Sequence, residues 1–185
     1  THDYILFFTD TGKVYRKKGY QIPESGKTAK GTNIVNILQV EQGERIQTMV
    51  HFRDFTEDEV YLFMVTRNGT VKRLAASALK NIRASGIRAL RLDEGDELIS
   101  VRETDGKQNI LIATHDGMAV CFDENDVRAM GRDAVGVRGI RLRDGDYVVG
   151  AARAAEGKCL LSITEKGYGK RTPVEEYRIT NRGGI

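Results

Sequence analysis

Residues 60–73, V-Y-L-F-M-V-T-R-N-G-T-V-K-R, decide how the rest of the chain is read. An unbroken apolar and aromatic run ends at Thr66 and meets Arg67-Asn68-Gly69. Asn-Gly is the strongest short-range hairpin signal, because both residues tolerate the positive φ of a tight primed turn. The stretch therefore predicts a strand, a tight turn on Asn68-Gly69 and a returning strand from Thr70. Tyr61, Phe63 and Val65 alternate with Leu62 and Met64, so neither face of the first strand is polar. Such a strand belongs between two covering layers.

The same pattern, Thr-x-x-Gly behind an apolar run, occurs three more times. Thr9-Asp10-Thr11-Gly12 follows Tyr4-Ile5-Leu6-Phe7-Phe8, Thr114-His115-Asp116-Gly117 follows Ile110-Leu111-Ile112-Ala113, and Thr164-Glu165-Lys166-Gly167 follows Cys159-Leu160-Leu161-Ser162-Ile163. The turn glycines are spaced 57, 48 and 50 residues apart. Strand-built repeats of that length mark a propeller-like array, in which each small sheet buries its faces only against its neighbours.

A second glycine, Gly31, Gly86, Gly136 or Gly184, follows each turn glycine by 17 or 19 residues. The first three open a predicted strand, residues 34–37, 87–92 and 137–142. A turn at Glu41-Gln42-Gly43, Asp93-Glu94-Gly95 or Arg143-Asp144-Gly145 then leads to a last apolar strand. That makes an all-β chain of about four four-stranded blades, three complete and one partial. As one domain over residues 1–185, the repeats fall at about 1–52, 53–106, 107–156 and 157–185. The chain starts directly on a strand and stops within a repeat, which reads as a piece of a larger disc, since a half blade leaves an unpaired edge.

Composition narrows the class. A chain of 185 residues with 30% charged and 40% hydrophobic residues folds as one soluble domain. No apolar run reaches bilayer length, and residues 4–8 are too short for a signal peptide. Cys121 and Cys159 fall in predicted strands of different repeats and are read as buried, reduced thiols of a cytoplasmic protein.

A net charge of +3 argues for no partner, but its distribution does. The first repeat runs Lys13, Arg16, Lys17, Lys18, Lys27 and Lys30, followed by Glu41, Glu44, Asp54, Glu57, Asp58 and Glu59. The second places Lys72, Arg73, Lys80, Arg83, Arg88 and Arg91 before Asp93, Glu94, Asp96 and Glu97. In the third, Met118-Ala119-Val120-Cys121-Phe122 carries no base, and Arg128, Arg132, Arg138, Arg141 and Arg143 come later, mixed with acids. The partial repeat adds Lys170, Arg171, Arg178 and Arg182. In a radial array a recurring basic segment becomes a belt around the rim, and bent duplex DNA needs such a series of phosphate contacts. The competing reading is ordinary solvated surface on a scaffold for protein partners.

Residues 1–16, T-H-D-Y-I-L-F-F-T-D-T-G-K-V-Y-R, and 164–177, T-E-K-G-Y-G-K-R-T-P-V-E-E-Y, resemble the DNA gyrase A C-terminal domain family, and the resemblance extends over the whole chain. It implies a β-pinwheel whose blades exchange a strand with their neighbours and whose basic perimeter wraps DNA with positive handedness. It further implies the rest of gyrase A, together with gyrase B, as partners in an A2B2 holoenzyme, with ATP and magnesium used elsewhere for negative supercoiling. This domain itself is then a non-catalytic, monomeric bacterial module without a cofactor. The family's Q-R-R-G-G-K-G box is absent and is expected upstream of Thr1, with Asn181-Arg182-Gly183-Gly184 as a degenerate version. The C-terminal domain of topoisomerase IV is the alternative.

No catalytic constellation is present in the sequence. His2, His51 and His115 lie on separate turns and strand ends, two cysteines cannot supply a zinc site, and Tyr177 reads as a packing or rim residue. The glycine-rich turns lack the Lys-Ser/Thr of a nucleotide loop. Bending 20–30 bp by 40–90° costs on the order of 1–6 kcal/mol, so many phosphates must be neutralised. With roughly 6–12 phosphate contacts the salt slope is about −5 to −11, and binding should be nearly blind to sequence.

Overall fold

The computed structural model describes residues 1–53, 55 and 59–184. The predicted acidic positions Asp54, Glu57 and Asp58 lie outside the described residues. Among the described residues, thirteen strands run in chain order: β1 (Tyr4–Thr9), β2 (Lys13–Lys18), β3 (Ile46–Phe52), β4 (Tyr61–Thr66), β5 (Thr70–Ala75), β6 (Ile87–Arg88), β7 (Leu98–Thr104), β8 (Asn109–Thr114), β9 (Ala119–Asp123), β10 (Val137–Arg138), β11 (Val148–Arg153), β12 (Cys159–Ile163) and β13 (Gly169–Pro173). They form antiparallel sheets ordered β3-β1-β2-β6, β10-β5-β4-β7, β11-β8-β9 and β12-β13.

Each Thr-x-x-Gly motif is a hairpin, but the turn differs from the predicted one. Asn68 keeps a negative φ, and only Gly69, at φ 84°, enters the left-handed region. The Gly69 N–H donates to the Thr66 carbonyl at 3.1 Å, and the Thr70 N–H donates to Thr66 Oγ1 at 3.1 Å. This is the longer hairpin loop in which a turn is followed by a glycine bulge. The threonine is part of the device, because its hydroxyl accepts the first N–H of the returning strand. Lys13, Met118 and Tyr168 make the same bond to Thr9, Thr114 and Thr164 at 3.2, 3.2 and 3.1 Å.

The fourth strand of a blade comes from the next repeat. β6 pairs with β2, setting Lys13 opposite Arg88, and β10 pairs with β5, setting Val137 opposite Val71. The predicted strands 87–92 and 137–142 therefore shrink to two residues each. Beyond them the backbone turns onto the preceding hairpin: Ala89 N–H donates to the Gly12 carbonyl at 2.9 Å and Gly139 N–H to the Gly69 carbonyl at 2.8 Å. The predicted strand at 34–37 is a 3-10 turn, Ile34–Asn36, whose first turn is capped by Asn33. It packs Ile34, Ile37 and Leu38 against Phe7 and Tyr15, covering the open face of the first sheet. The segment after β5, where a loop or a helical turn was expected, holds a 3-10 turn at Ala76–Leu79.

Both faces of β4 are buried, as its composition requires. Leu62 and Met64 join Leu6, Phe8 and Val14 of the first sheet, whereas Phe63 and Val65 join Ile110, Ile112 and Phe122 of the third. Each such side chain contributes about 1.5–3 kcal/mol on full burial, so β4 supports two interfaces at once. At the edges opposite β6 and β10, strands β3, β7 and β11 pack beside one another and form the inner side of the array. The third sheet has three strands and the fourth only a hairpin. Most of β12 and β13 is exposed, including Cys159, which corrects the expectation of two buried thiols; Cys121 is buried, and both are free.

Candidate nucleic-acid interface

The exchanged segments carry the basic residues. After β5 the chain leaves the 3-10 turn and runs along the outer edge of the preceding sheet, through Lys80 and Arg83, to Arg88 on β6 and then Arg91. The next repeat follows the same course through Arg128, Arg132, Arg138 on β10 and Arg141. Lys80, Arg128 and Arg178 each come directly after or next to the end of a 3-10 turn, so the bases recur in structure as well as in sequence. All of these side chains are exposed, as are Lys27, Lys30 and Arg182. Among the described residues, none of them forms an ion pair. Arg182 Nη1 donates to the Arg138 carbonyl at 3.1 Å and its Nε to the Asp126 carbonyl at 2.9 Å, which sets the fourth repeat's arginine beside the third's.

Many of the acids are gathered at the hairpin end of the blades. Asp96 Oδ1 accepts the Asn68 N–H at 3.0 Å, Asp146 Oδ1 accepts the Asp116 N–H at 3.0 Å, and the Arg45 N–H donates to Asp10 Oδ1 at 3.0 Å. These bonds lock the later turn of a repeat onto its Thr-x-x-Gly turn. They occupy the carboxylates with backbone and keep them off the outer-edge segments.

Two predicted contacts are corrected. Lys72 is 0% exposed, and its Nζ donates to the carbonyls of Ala89, Arg132 and Ala134 at 2.9, 2.8 and 3.0 Å. Burial lowers its pKa to about 8, with nearby Arg132 adding to the shift and Asp133 opposing it. Arg73 is 8% exposed; it lies over the Tyr61 ring at 4.6 Å, donates to Asn125 Oδ1 at 2.8 Å and approaches Glu124 at 3.6 Å. Neither side chain can meet a phosphate at the rim, because each is enclosed by the following repeat. Arg16, the counterpart of Arg73, is half-buried over Tyr4 and Phe55 and donates to the Lys80 carbonyl at 2.9 Å. Lys13 pairs with Glu41, and Lys18 sits over Tyr4 and Tyr20. Lys17 is half-exposed, whereas Lys170 and Arg171 lie exposed on the partial blade.

Sequence reading missed the burial of Lys72, because aligned hairpin positions disagree: Lys170 stands at the same place and is exposed. Aligning the hairpins also sets Tyr15 and Val120 at its place, and both are buried. The histidines hold surface partners: His51 Nε2 lies 2.9 Å from Asp3, and His115 lies 3.0 Å from Asp116 and 3.3 Å from Glu165. The side-chain carboxylate of Asp146 comes within 4.8 Å of His115 and Asp116, but its Oδ1 is already held by two backbone N–H groups. A groove of about 1010 Å³ runs between β11 and the partial blade, lined in part by Val149, Leu161, Ile163 and Tyr168.

Strand exchange, four sheets in series and a cationic outer edge define a β-propeller of the pinwheel kind. The family model of the DNA gyrase C-terminal domain, beta-propeller, matches residues 3–51, 61–105, 108–155 and 160–185. The chain is 46% identical over 186 aligned positions to the gyrase A proteins of Staphylococcus epidermidis and Staphylococcus aureus, covering 100% of this chain and 21% of each relative. A solved C-terminal domain of DNA topoisomerase IV superimposes with a TM-score of 0.89 at 30% identity, over 99% of this chain and 57% of that one. A solved DNA gyrase A C-terminal domain gives 0.84 at 29% identity, over 100% and 59%. The chain belongs to the DNA gyrase A C-terminal domain family.

Proposed function

We propose that this chain binds duplex DNA without regard to sequence and bends it around the outer edge of the blades. In this reading it serves as the non-catalytic wrapping module of a type IIA topoisomerase that introduces negative supercoils together with gyrase B, ATP and magnesium. One observation carries the reading: each exchanged segment brings exposed arginines to the rim of the blade before it, at repeating positions, while carboxylates are engaged at the hairpin end. Exposed arginines at regular intervals, with no element among the described residues shaped to enter a groove, favour backbone binding over base readout. Membership of the family agrees with this role.

The test is a mobility-shift series on duplexes of increasing length, with Arg83, Arg88 and Arg91 replaced together by Glu. Affinity that climbs with length and collapses in the triple variant supports the proposal. Weak, length-indifferent binding leaves a protein scaffold, for which the apolar groove beside the partial blade would be the surface. The higher TM-score against the topoisomerase IV domain favours a second reading, bending without a full wrap. Ligating nicked circles in the presence of the protein separates the two, because a positively handed wrap shifts the linking number and simple bending does not.

A further inference from the structure

The one fully buried lysine in the second repeat touches the backbone of two rim segments at once. An ammonium has three donors, and Lys72 spends all of them on carbonyls: Ala89, which lies between Arg88 and Arg91, and then Arg132 and Ala134 of the following repeat. Ala134 also accepts the Arg91 N–H at 3.3 Å, so the two segments meet at this point. The strand that carries Lys72 is the one on which β10 is laid, with Arg138 opposite Thr70. Arg88, Arg91, Arg132 and Arg138 are thereby referred to a single side chain on β5. No carboxylate hydrogen-bonds to that side chain among the described residues; the charged groups near it are Asp133 and Arg132.

We propose that Lys72 is a positioning residue that fixes the distance between the rim arginines of adjacent repeats, and through it the curvature imposed on DNA. The inference rests on the rim reading above. Lys72 itself touches no phosphate. A duplex that reaches only one segment is indifferent to the spacing, whereas one that spans both gains the high effective concentration of its second contact only when the spacing fits.

The experiment compares the chain with its Lys72→Met and Lys72→Gln variants at a temperature where circular dichroism shows each folded. A duplex of about one helical turn, roughly 10 bp, reports local contact. An end-labelled duplex well below the roughly 150 bp persistence length reports bending by energy transfer. Positioning predicts short-duplex affinity within about twofold and long-duplex affinity lower by about tenfold or more. Energy transfer should be lost in Lys72→Met and partly kept in Lys72→Gln, which retains two donors. Equal losses on both lengths, or no loss on the long one, overturn the proposal. If neither variant folds, the unaltered chain is titrated from pH 7 to 9. The buried ammonium loses its proton near pH 8 while arginines keep theirs, so energy transfer should fall there with short-duplex affinity constant; a flat profile overturns the proposal. Absence of DNA binding at either length by the unaltered chain would instead remove the rim reading itself.

Discussion

The second and fourth repeats carry the same dipeptide at the same place in the hairpin, Lys72-Arg73 on β5 and Lys170-Arg171 on β13, with opposite outcomes. The first pair is buried and bonded to the third repeat, whereas the second pair is exposed. The turn glycines divide likewise. A methyl group on Gly12 would stand 2.5 Å from the Leu90 carbonyl oxygen and one on Gly69 about 3.0 Å from Ile140, while one on Gly117 or Gly167 would meet nothing within 4 Å among the described residues. In this architecture a residue's environment is set by the repeat that follows it. Local sequence alone cannot distinguish a rim cation from an inter-blade one.

Replacing the turn glycines should break that symmetry most strongly. Gly12→Ala meets a backbone carbonyl in addition to left-handed strain and should lower stability by about 3 kcal/mol or more. Gly117→Ala carries the strain alone, about 1–2 kcal/mol. Urea denaturation of the two variants measures the gap, and equal costs would show that the following repeat does not clasp the hairpin.

A pH series tests the buried lysine. Its folded pKa of about 8 lies below the usual lysine value, so between these pH values the unfolded chain holds more protons. Stability should therefore rise with pH by about 2 kcal/mol from near pH 8 towards pH 10, and that gain is lost as pH falls through the folded value. Lys72→Met should lack this slope and Lys170→Met should keep it. A slope common to all three proteins assigns the effect to other groups.

Tyr15 holds Lys72's place in the first repeat and donates to Glu44 at 2.8 Å. Tyr15→Phe should cost about 1 kcal/mol in thermal or urea melts, since a neutral phenol spans less of the structure than a three-donor ammonium. The smallest effect concerns the exposed contact between the third and fourth hairpins. Hydrogen bonds from the His115 ring to the carboxylates of Asp116 first and Glu165 second hold its pKa above the ordinary value. In an NMR titration, Asp116→Asn should lower it more than Glu165→Gln; the reverse order would make the contact to the partial blade the stronger one.

Much of the fold was legible because its signals are local. The Thr-x-x-Gly hairpins, the four-fold recurrence and the two-sided burial of β4 follow from residues adjacent in the chain. The turn type was misread because Asn-Gly chemistry suggested a primed turn, while Thr66 Oγ1 supplied the acceptor that stabilises a bulge. Strand exchange entered only through the family resemblance, since β2 and β6 lie too far apart for pattern reading. The site was half legible. Arg88 and Arg138, in segments that run to the neighbouring blade, are exposed, whereas Lys72 and Arg73 look identical in type in the sequence and are enclosed by a repeat some 60 residues further on.

Lending a strand to one's predecessor also has a mechanical consequence. Tension applied to β6 passes into the backbone of the second repeat, and tension on β10 into the third, so load travels along the chain in series. Such an object should yield by peeling inward from a terminal blade, and a blade in the middle can be released only after its successor has let go.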